Sequence, residues 1–214
     1  MALSKVNFNS LNVTPAASKA IKFNSNNNGI ETGDVGGSLV LLSTQTASSS
    51  STISFTSGID STYKEYIFKF IDIHPATDSV TFSFQGSTDT GSSYGVTMTT
   101  SFFNAYHNEA DSATNLGYRT AEDLAQSTSF QGFQSNYGNG NDENGVGFLH
   151  LFDPSNTTFV KHFISRSSNY HKDDYAIDNY VAGYFNTTSA IDAIQFKMSS
   201  GNIDSGTIKL YGVV

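Results

Sequence analysis

The sequence predicts an all-β protein of the two-sheet, jelly-roll-like β-sandwich class, and three observations lead to this prediction. Runs that alternate apolar and polar side chains recur along the chain, as they do in strands with one buried face. Phe and Tyr are abundant, at 17 and 11 residues, and Ser, Thr, Asn and Gly separate the runs. Only 14% of the 214 residues are charged, which argues against a helical bundle or a disordered polyampholyte.

Residues 1–37 differ from the rest, and we interpret them as an extended N-terminal arm ahead of a sandwich domain over residues 38–214. They contain a weakly apolar stretch, an Asn-rich turn and the sequence GDVGG. A first strand pair of the sandwich is the alternative interpretation. An arm would attach the subunit to a particle through main-chain hydrogen bonds and a few apolar anchors. The expected anchors are Val6, Phe8, Leu11, Val13, Ile21 and Phe23.

Five strands are predicted at regular spacing after the arm. They cover residues 39–44, 52–56, 63–74, 80–85 and 96–106. The third strand has Tyr66, Phe68 and Phe70 on one face and Ile67, Lys69, Ile71 and Ile73 on the other. Because both faces are mostly apolar, we expect this strand to lie in the middle of the fold or beneath an interface.

The strand pattern breaks between residues 108 and 144, which we interpret as an insertion. Residues 120–125, with the sequence TAEDLA, begin with a capping Thr and early acids, so they predict a short helix. Long irregular loops in compact domains are often functional, although an unspecialised surface loop is the alternative. The residues expected to contact a ligand or partner are Tyr118, Phe130, Phe133 and Tyr137.

Strands are predicted again over residues 145–152, 159–167 and 180–186, followed by a terminal hairpin. The two runs of that hairpin place Ile194, Phe196 and Met198 on one inward face and Ile208, Leu210 and Gly212 on the other. Ser, Gly and Asn residues between the runs favour a turn. Register in this segment should be tightly specified, since a slip of one residue would expose every apolar side chain.

Neither the histidines nor the acidic clusters form a recognised catalytic or metal-binding motif. His150 and His162 lie on adjacent predicted strands, but no HxH or HExxH spacing accompanies them. The acidic clusters lie in polar loops, where nothing raises the pKa of one carboxyl group as a glycosidase requires. Residues 141–144, with the sequence NDEN, offer oxygen ligands for calcium without the spacing of an EF-hand. We therefore expect no enzyme activity, no catalytic residues, no metal and no cofactor.

Composition also excludes several classes of partner. The formal net charge is −8 and no basic run occurs, so nucleic acid is not an expected partner. The chain has no Cys and hence no disulfide framework. Its longest apolar runs are four residues, against the ~20 that a membrane helix needs, and its start lacks an apolar signal core. We expect neither a membrane segment nor secretion.

Several stretches resemble virion structural proteins of tailed bacteriophages that infect marine bacteria. They are the opening MALSKVNF and LNVTPAASKAIKF, the central STYKEYIFKFIDIHPAT and the C-terminal DAIQFKMSSGNIDSGTIKLYGV. This resemblance covers most of the chain and implies a tail-associated or capsid-decorating component located in the virion. We expect a non-enzymatic subunit that assembles as a homotrimer and contacts other virion proteins. The alternative is a carbohydrate-binding module that recognises a host surface glycan through residues 108–144.

Overall fold

The computed structural model describes residues 19–24, 26, 28–34 and 38–214, and this part of the chain is all-β, as the sequence predicts. It contains no helix, and therefore none long and apolar enough to span a membrane. The strands are β1 (Lys19–Phe23), β2 (Ile30–Asp34), β3 (Leu39–Thr46), β4 (Ile53–Phe55), β5 (Glu65–Pro75), β6 (Val80–Ser87), β7 (Met98–Asn108), β8 (Thr114–Tyr118), β9 (Gln131–Tyr137), β10 (Gly145–Phe152), β11 (Lys161–His171), β12 (Tyr175–Phe185), β13 (Ala193–Met198) and β14 (Ile203–Val213).

The chain divides into two compact units, and the division falls between Ser38 and Leu39. In the first unit, β1 and β2 pair as an antiparallel two-stranded sheet. A main-chain hydrogen bond from the Asn24 N–H to the Gly29 carbonyl closes the connection between these strands. The described part of the first unit is therefore a hairpin with a sheet of its own.

The second unit, residues 39–214, contains twelve strands in two antiparallel groups. Eight of them pair in the order β3-β14-β5-β10-β11-β12-β7-β8, which we call the large sheet. The other four pair in the order β9-β6-β13-β4, which we call the small sheet. A single residue pair, Tyr137 with His171, joins β9 to β11 and so links the two sheets at one corner. The unit is a nearly closed sandwich.

A layer of phenylalanine side chains fills the space between the two sheets. Phe68 and Phe70 of the large sheet meet the small sheet, where the ring of Phe70 lies 5.3 Å from that of Phe82. The ring of Phe163 lies 5.1 Å from that of Phe84, edge to face. Phe196 of β13 is fully buried and contacts rings from both sheets. The abundant Phe of the composition is thus concentrated in one core.

The short helix expected at residues 120–125 is absent, so that prediction is wrong. The segment instead lies along the start of β7 through hydrogen bonds to its edge. Leu124 donates its N–H to the hydroxyl of Thr100 at 2.7 Å, and Thr100 donates its own N–H to the Leu124 carbonyl. Met98 pairs with Ser127 in an isolated bridge. Backbone groups of this segment therefore form hydrogen bonds to a neighbouring strand instead of the hydrogen bonds within a helix.

The prediction of a terminal hairpin is also wrong, although the faces assigned to its two strands are correct. β13 pairs with β6 and β4 in the small sheet, whereas β14 pairs with β5 and β3 in the large sheet. Residues 199–202 cross between the sheets instead of turning within one. Phe196 and Leu210 are both fully buried, so they face the core from opposite sheets.

The third predicted strand, β5, lies inside the large sheet between β14 and β10, as expected for a central strand. Its alternation changes at Asp72, whose φ of 52° is in the left-handed region and shifts the register against β14. Ile73 consequently turns to the core and is fully buried, although the strict alternation predicts the opposite face. The outer face of β5 is less covered than predicted, because Lys69 and Ile71 are exposed.

The segment interpreted as an irregular insertion contains two strands, β8 and β9. β8 is the last strand of the large sheet and pairs with β7 alone. β9 is an integral strand of the small sheet, next to β6. Only the connections around these strands are loops, so residues 108–144 contribute to both sheets.

Candidate functional site

The outer face of the large sheet is the most extensive candidate surface. Period-two alternation turns one set of side chains to the core and leaves the other set on the opposite side, which we call the outer face. The register brings one row of that face across six strands from β5 to β8. Its members are aromatic or basic, namely Lys69, Phe148, Arg166, Tyr180, Phe103 and Tyr118.

Large apolar side chains on the outer face are exposed on both sides of this row. Ile164 is 51% exposed and Leu116 is 70% exposed. Ile71, beside the row, and Phe103, within the row, are exposed as well. A folded monomer seldom shows a broad apolar area on one sheet face, and such areas commonly mark sites of association. The outer face therefore has the character of an interaction surface.

A polar cluster in the middle of the outer face is fixed by hydrogen bonds. Arg166 donates from Nε and Nη2 to the two carboxylate oxygens of Asp178, at 3.0 and 2.8 Å. Tyr180 donates its hydroxyl to the same carboxylate, and its ring stacks on Phe103 with centroids 4.7 Å apart. The hydrogen bond from Arg166 holds the pKa of Asp178 below its usual range. Such a bidentate, stacked cluster presents a fixed pattern of charge to a partner.

The anchors expected in the N-terminal arm lie partly in the described structure. Ile21 and Phe23 are on β1 with exposed side chains, and Phe23 is 72% exposed. An exposed Phe at this position is available to a partner. The other expected anchors, Val6, Phe8, Leu11 and Val13, lie outside the described residues.

The four aromatic residues expected to contact a ligand or partner have different environments. Tyr118 is exposed and donates its hydroxyl to Asp123 at 2.6 Å. Phe130 is half-buried, with the Nζ of Lys197 4.1 Å from its ring centroid. Phe133 and Tyr137 are fully buried, so the expectation that they contact a ligand is wrong. The physical reason is that both belong to β9, whose inward face packs in the phenylalanine core.

The histidines on adjacent strands do not converge on a metal site. His150 lies opposite Ile164 and hydrogen-bonds through Nδ1 to the carboxylate of Glu65. His162 lies opposite Tyr184, with its ring 5.8 Å from that tyrosine ring. Among the described residues, no three His, Cys, Asp or Glu side chains are grouped as metal ligands.

The acidic loop at residues 141–144 binds its own neighbours. Glu143 accepts the N–H of Gly140, and Asn144 donates its amide to Asp72 at 3.3 Å. Both side chains are thereby engaged in fixing the loop. No second feature there points to a cation.

A G-x-S-x-G sequence occurs at residues 91–95, a pattern that can mark a serine nucleophile. In hydrolases this motif lies on a sharp turn between a strand and a helix. Here it follows β6 in a loop, and no helix follows it. Ser93 donates its hydroxyl to Asp89 at 2.6 Å, so a carboxylate rather than a histidine is its partner. This serine stabilises the loop around Asp89.

Comparison with protein-family models, with curated proteins and with solved structures finds no match to this chain.

Proposed function

We propose that the protein is a non-enzymatic structural subunit of a tailed-phage virion, acting in the tail or as a capsid decoration through self-assembly. The observation that carries the proposal is the outer face of the large sheet, where Ile71, Phe103, Leu116 and Ile164 each expose a large apolar side chain. The resemblance of the sequence to phage virion proteins supports the location. Partners are further copies of the chain and other virion proteins.

Self-association through the outer face follows from the free energy of apolar burial. Each square ångström of apolar surface removed from water contributes about 25 cal/mol. The bidentate pair of Arg166 and Asp178 lies in the middle of the face. It gives the contact a preferred register, because each of these two charges favours a group of opposite charge on the partner surface. Closed point-group symmetry is usual for soluble oligomers, so we propose a closed symmetric assembly. The number of copies that we propose is three.

We also propose that the sandwich is related to jelly-roll folds, as the sequence suggests. Late strands insert between early ones in both sheets, with β13 between β6 and β4 and β14 between β3 and β5. Greek-key and jelly-roll folds return the chain in this manner. The interleaved strand order supports that relationship.

Light scattering coupled to size exclusion tests self-assembly. At micromolar concentration the chain should elute with three times its monomer mass of 23.1 kDa. Ile164→Asp adds a charge in the outer face and should shift the mass toward the monomer. Asn141→Asp adds the same charge in an exposed loop and should leave the mass unchanged. A monomeric parent protein, or equal masses for the two variants, would contradict the proposal.

Attachment to the particle is tested by removing the N-terminal residues. A chain that starts at Ser38 should keep a β-type circular dichroism spectrum, because the second unit has its own core. It should fail to join virions assembled in its presence, as detected by a specific antibody on purified particles. Aggregation of the truncated chain would mean that residues 1–37 belong to the core, and normal incorporation would refute their role in attachment.

A further inference from the structure

A small pocket opens at one end of the second unit, on the inner side of the large sheet, and its use is not explained by self-assembly. Its lining residues come from β7, β9, β11 and β12 and from the connections beside these strands. The cavity has a volume of about 210 Å³. Its walls include Asn104, Tyr106, Arg119, His171, Tyr175 and Ile177. We call this cavity the end pocket.

A buried hydrogen-bond acceptor in the wall of the end pocket has no partner. Asn104 is only 2% exposed, and its Nδ2 donates across the sheet to the side chain of Asn179 at 3.5 Å. Asn179 donates in turn to Asn169 at 3.1 Å, so the amides form a ladder that runs in one direction. The Oδ1 of Asn104 at the end of this ladder accepts no hydrogen bond. An unsatisfied buried acceptor is costly, and a ligand donor would relieve that cost.

Two possible donors, Arg119 and His171, also line the end pocket. The nearest carboxylate oxygen to the Arg119 guanidinium is that of Glu122 at 3.7 Å, beyond hydrogen-bond distance. His171 accepts the N–H of Asp173 at its Nδ1, which places the proton of the neutral ring on Nε2. Burial lowers the pKa of His171, so the ring is neutral at pH 7. Neither Arg119 nor His171 Nε2 donates to another side chain within the described residues.

Aromatic rings complete the walls. Tyr106 and Tyr175 meet edge to face with centroids 5.3 Å apart, and the ring of His171 lies 5.3 Å from that of Tyr175. Both tyrosines are half-buried, so part of each ring faces the cavity. Aromatic rings beside amide and guanidinium groups suit a ligand with apolar C–H faces and polar edges.

We propose that the end pocket binds one neutral sugar residue of a glycan. A sugar hydroxyl can donate to an acceptor such as Asn104 Oδ1 and accept from Arg119 or His171 Nε2, whereas a carboxylate ion can only accept hydrogen bonds. The neighbouring Glu122 and Asp173 also disfavour an anion. The cavity is smaller than the about 300–1,000 Å³ of drug-sized sites, which limits the occupant to a single ring. Two of its lining residues, Arg119 and Asn136, belong to the segment between residues 108 and 144.

Saturation-transfer NMR on the full-length protein tests the proposal. The probes are glucose, galactose, mannose and N-acetylglucosamine, each at about 10 mM, a concentration that reveals dissociation constants in the millimolar range. At least one sugar should bind. Arg119→Gln should weaken its binding about tenfold or more, because a charged donor is lost.

A matched pair of substitutions on β7 tests whether the sugar binds in the end pocket or on the outer face. Tyr106→Leu removes an aromatic wall of the pocket and should abolish sugar binding. Phe103→Leu makes a similar change on the opposite face of the same strand and should leave binding intact. Thermal melting of each variant verifies that it is folded.

Several outcomes would overturn the proposal. They are the absence of binding by all four sugars, equal binding by the Tyr106→Leu and Phe103→Leu variants, and complete displacement of the sugar by inorganic phosphate at equal concentration. Light scattering on Arg119→Gln should show the mass of the parent protein, so loss of sugar binding is distinguishable from loss of assembly.

Discussion

Replacing Phe196 by Ala is expected to be among the most destabilising single substitutions in the chain. Phe196 is fully buried in β13 and lies at the centre of the phenylalanine core. Five rings surround it at centroid distances between 5.3 and 6.1 Å. They belong to Phe55, Phe68, Phe70, Phe82 and Phe133. Because these rings come from both sheets, removing the central one weakens the contact that holds the sheets together.

The size of the expected loss of stability follows from the burial of Phe196. Truncation of a buried Phe to Ala costs about 3–5 kcal/mol, since the lost transfer free energy is joined by the cost of the cavity. The surrounding rings are themselves fixed by other contacts, so the cavity cannot collapse fully. For a chain of this size each kcal/mol lowers the melting temperature by about 2–4 °C. The expected decrease is therefore about 6–20 °C.

Differential scanning calorimetry of Phe196→Ala beside Lys209→Ala measures this difference. Lys209 lies on β14 opposite Lys69, with its side chain turned away from the core. Its truncation should cost less than about 0.5 kcal/mol, as is usual for surface positions. Equal melting temperatures for the two variants would mean that the inward and outward faces are reversed, and the reasoning would then be refuted.

Three further predictions concern turns and buried polar groups. Asp89 accepts hydrogen bonds from Ser87 and Ser93, which lower its pKa from 3.8 to about 2. A carboxyl with a depressed folded-state pKa stabilises the fold above its unfolded pKa, and this contribution is lost as the pH falls through about 2. Asp89→Asn should therefore lower the melting temperature more at pH 7 than at pH 2, and a constant difference would contradict this. The buried hydroxyl of Tyr137 has no partner, so Tyr137→Phe should leave stability in urea unchanged or raise it by up to about 1 kcal/mol; a clear loss would indicate an unseen bond. Gly206 has a φ of 122°, and a Cβ there would lie 2.7 Å from the Asp72 carbonyl oxygen. Gly206→Ala should cost at least about 1 kcal/mol in the same assay, and an unchanged midpoint would refute the strain argument.

Candidate sites were only partly predictable from sequence. Tyr118 and Phe133 look alike in sequence, each an aromatic residue among polar ones, yet Tyr118 is exposed on an edge strand and Phe133 is fully buried. The end pocket was missed because Asn104, Arg119 and His171 are far apart in the chain. A signal existed in Asn104, a polar residue at an inward position of β7, but its missing partner can be recognised only when the neighbouring strands are placed.

The sequence alone determined the fold class and the faces of most strands. Alternation between neighbouring residues is a local property, and burial of Phe196, Leu210 and Phe68 follows from it directly. Tertiary structure decided which strands pair. The terminal runs take partners in different sheets because each buries its apolar face best between strands distant in sequence, and residues 120–125 bond to the β7 edge instead of coiling. Such choices depend on the free energy of long-range contacts, which no local pattern contains.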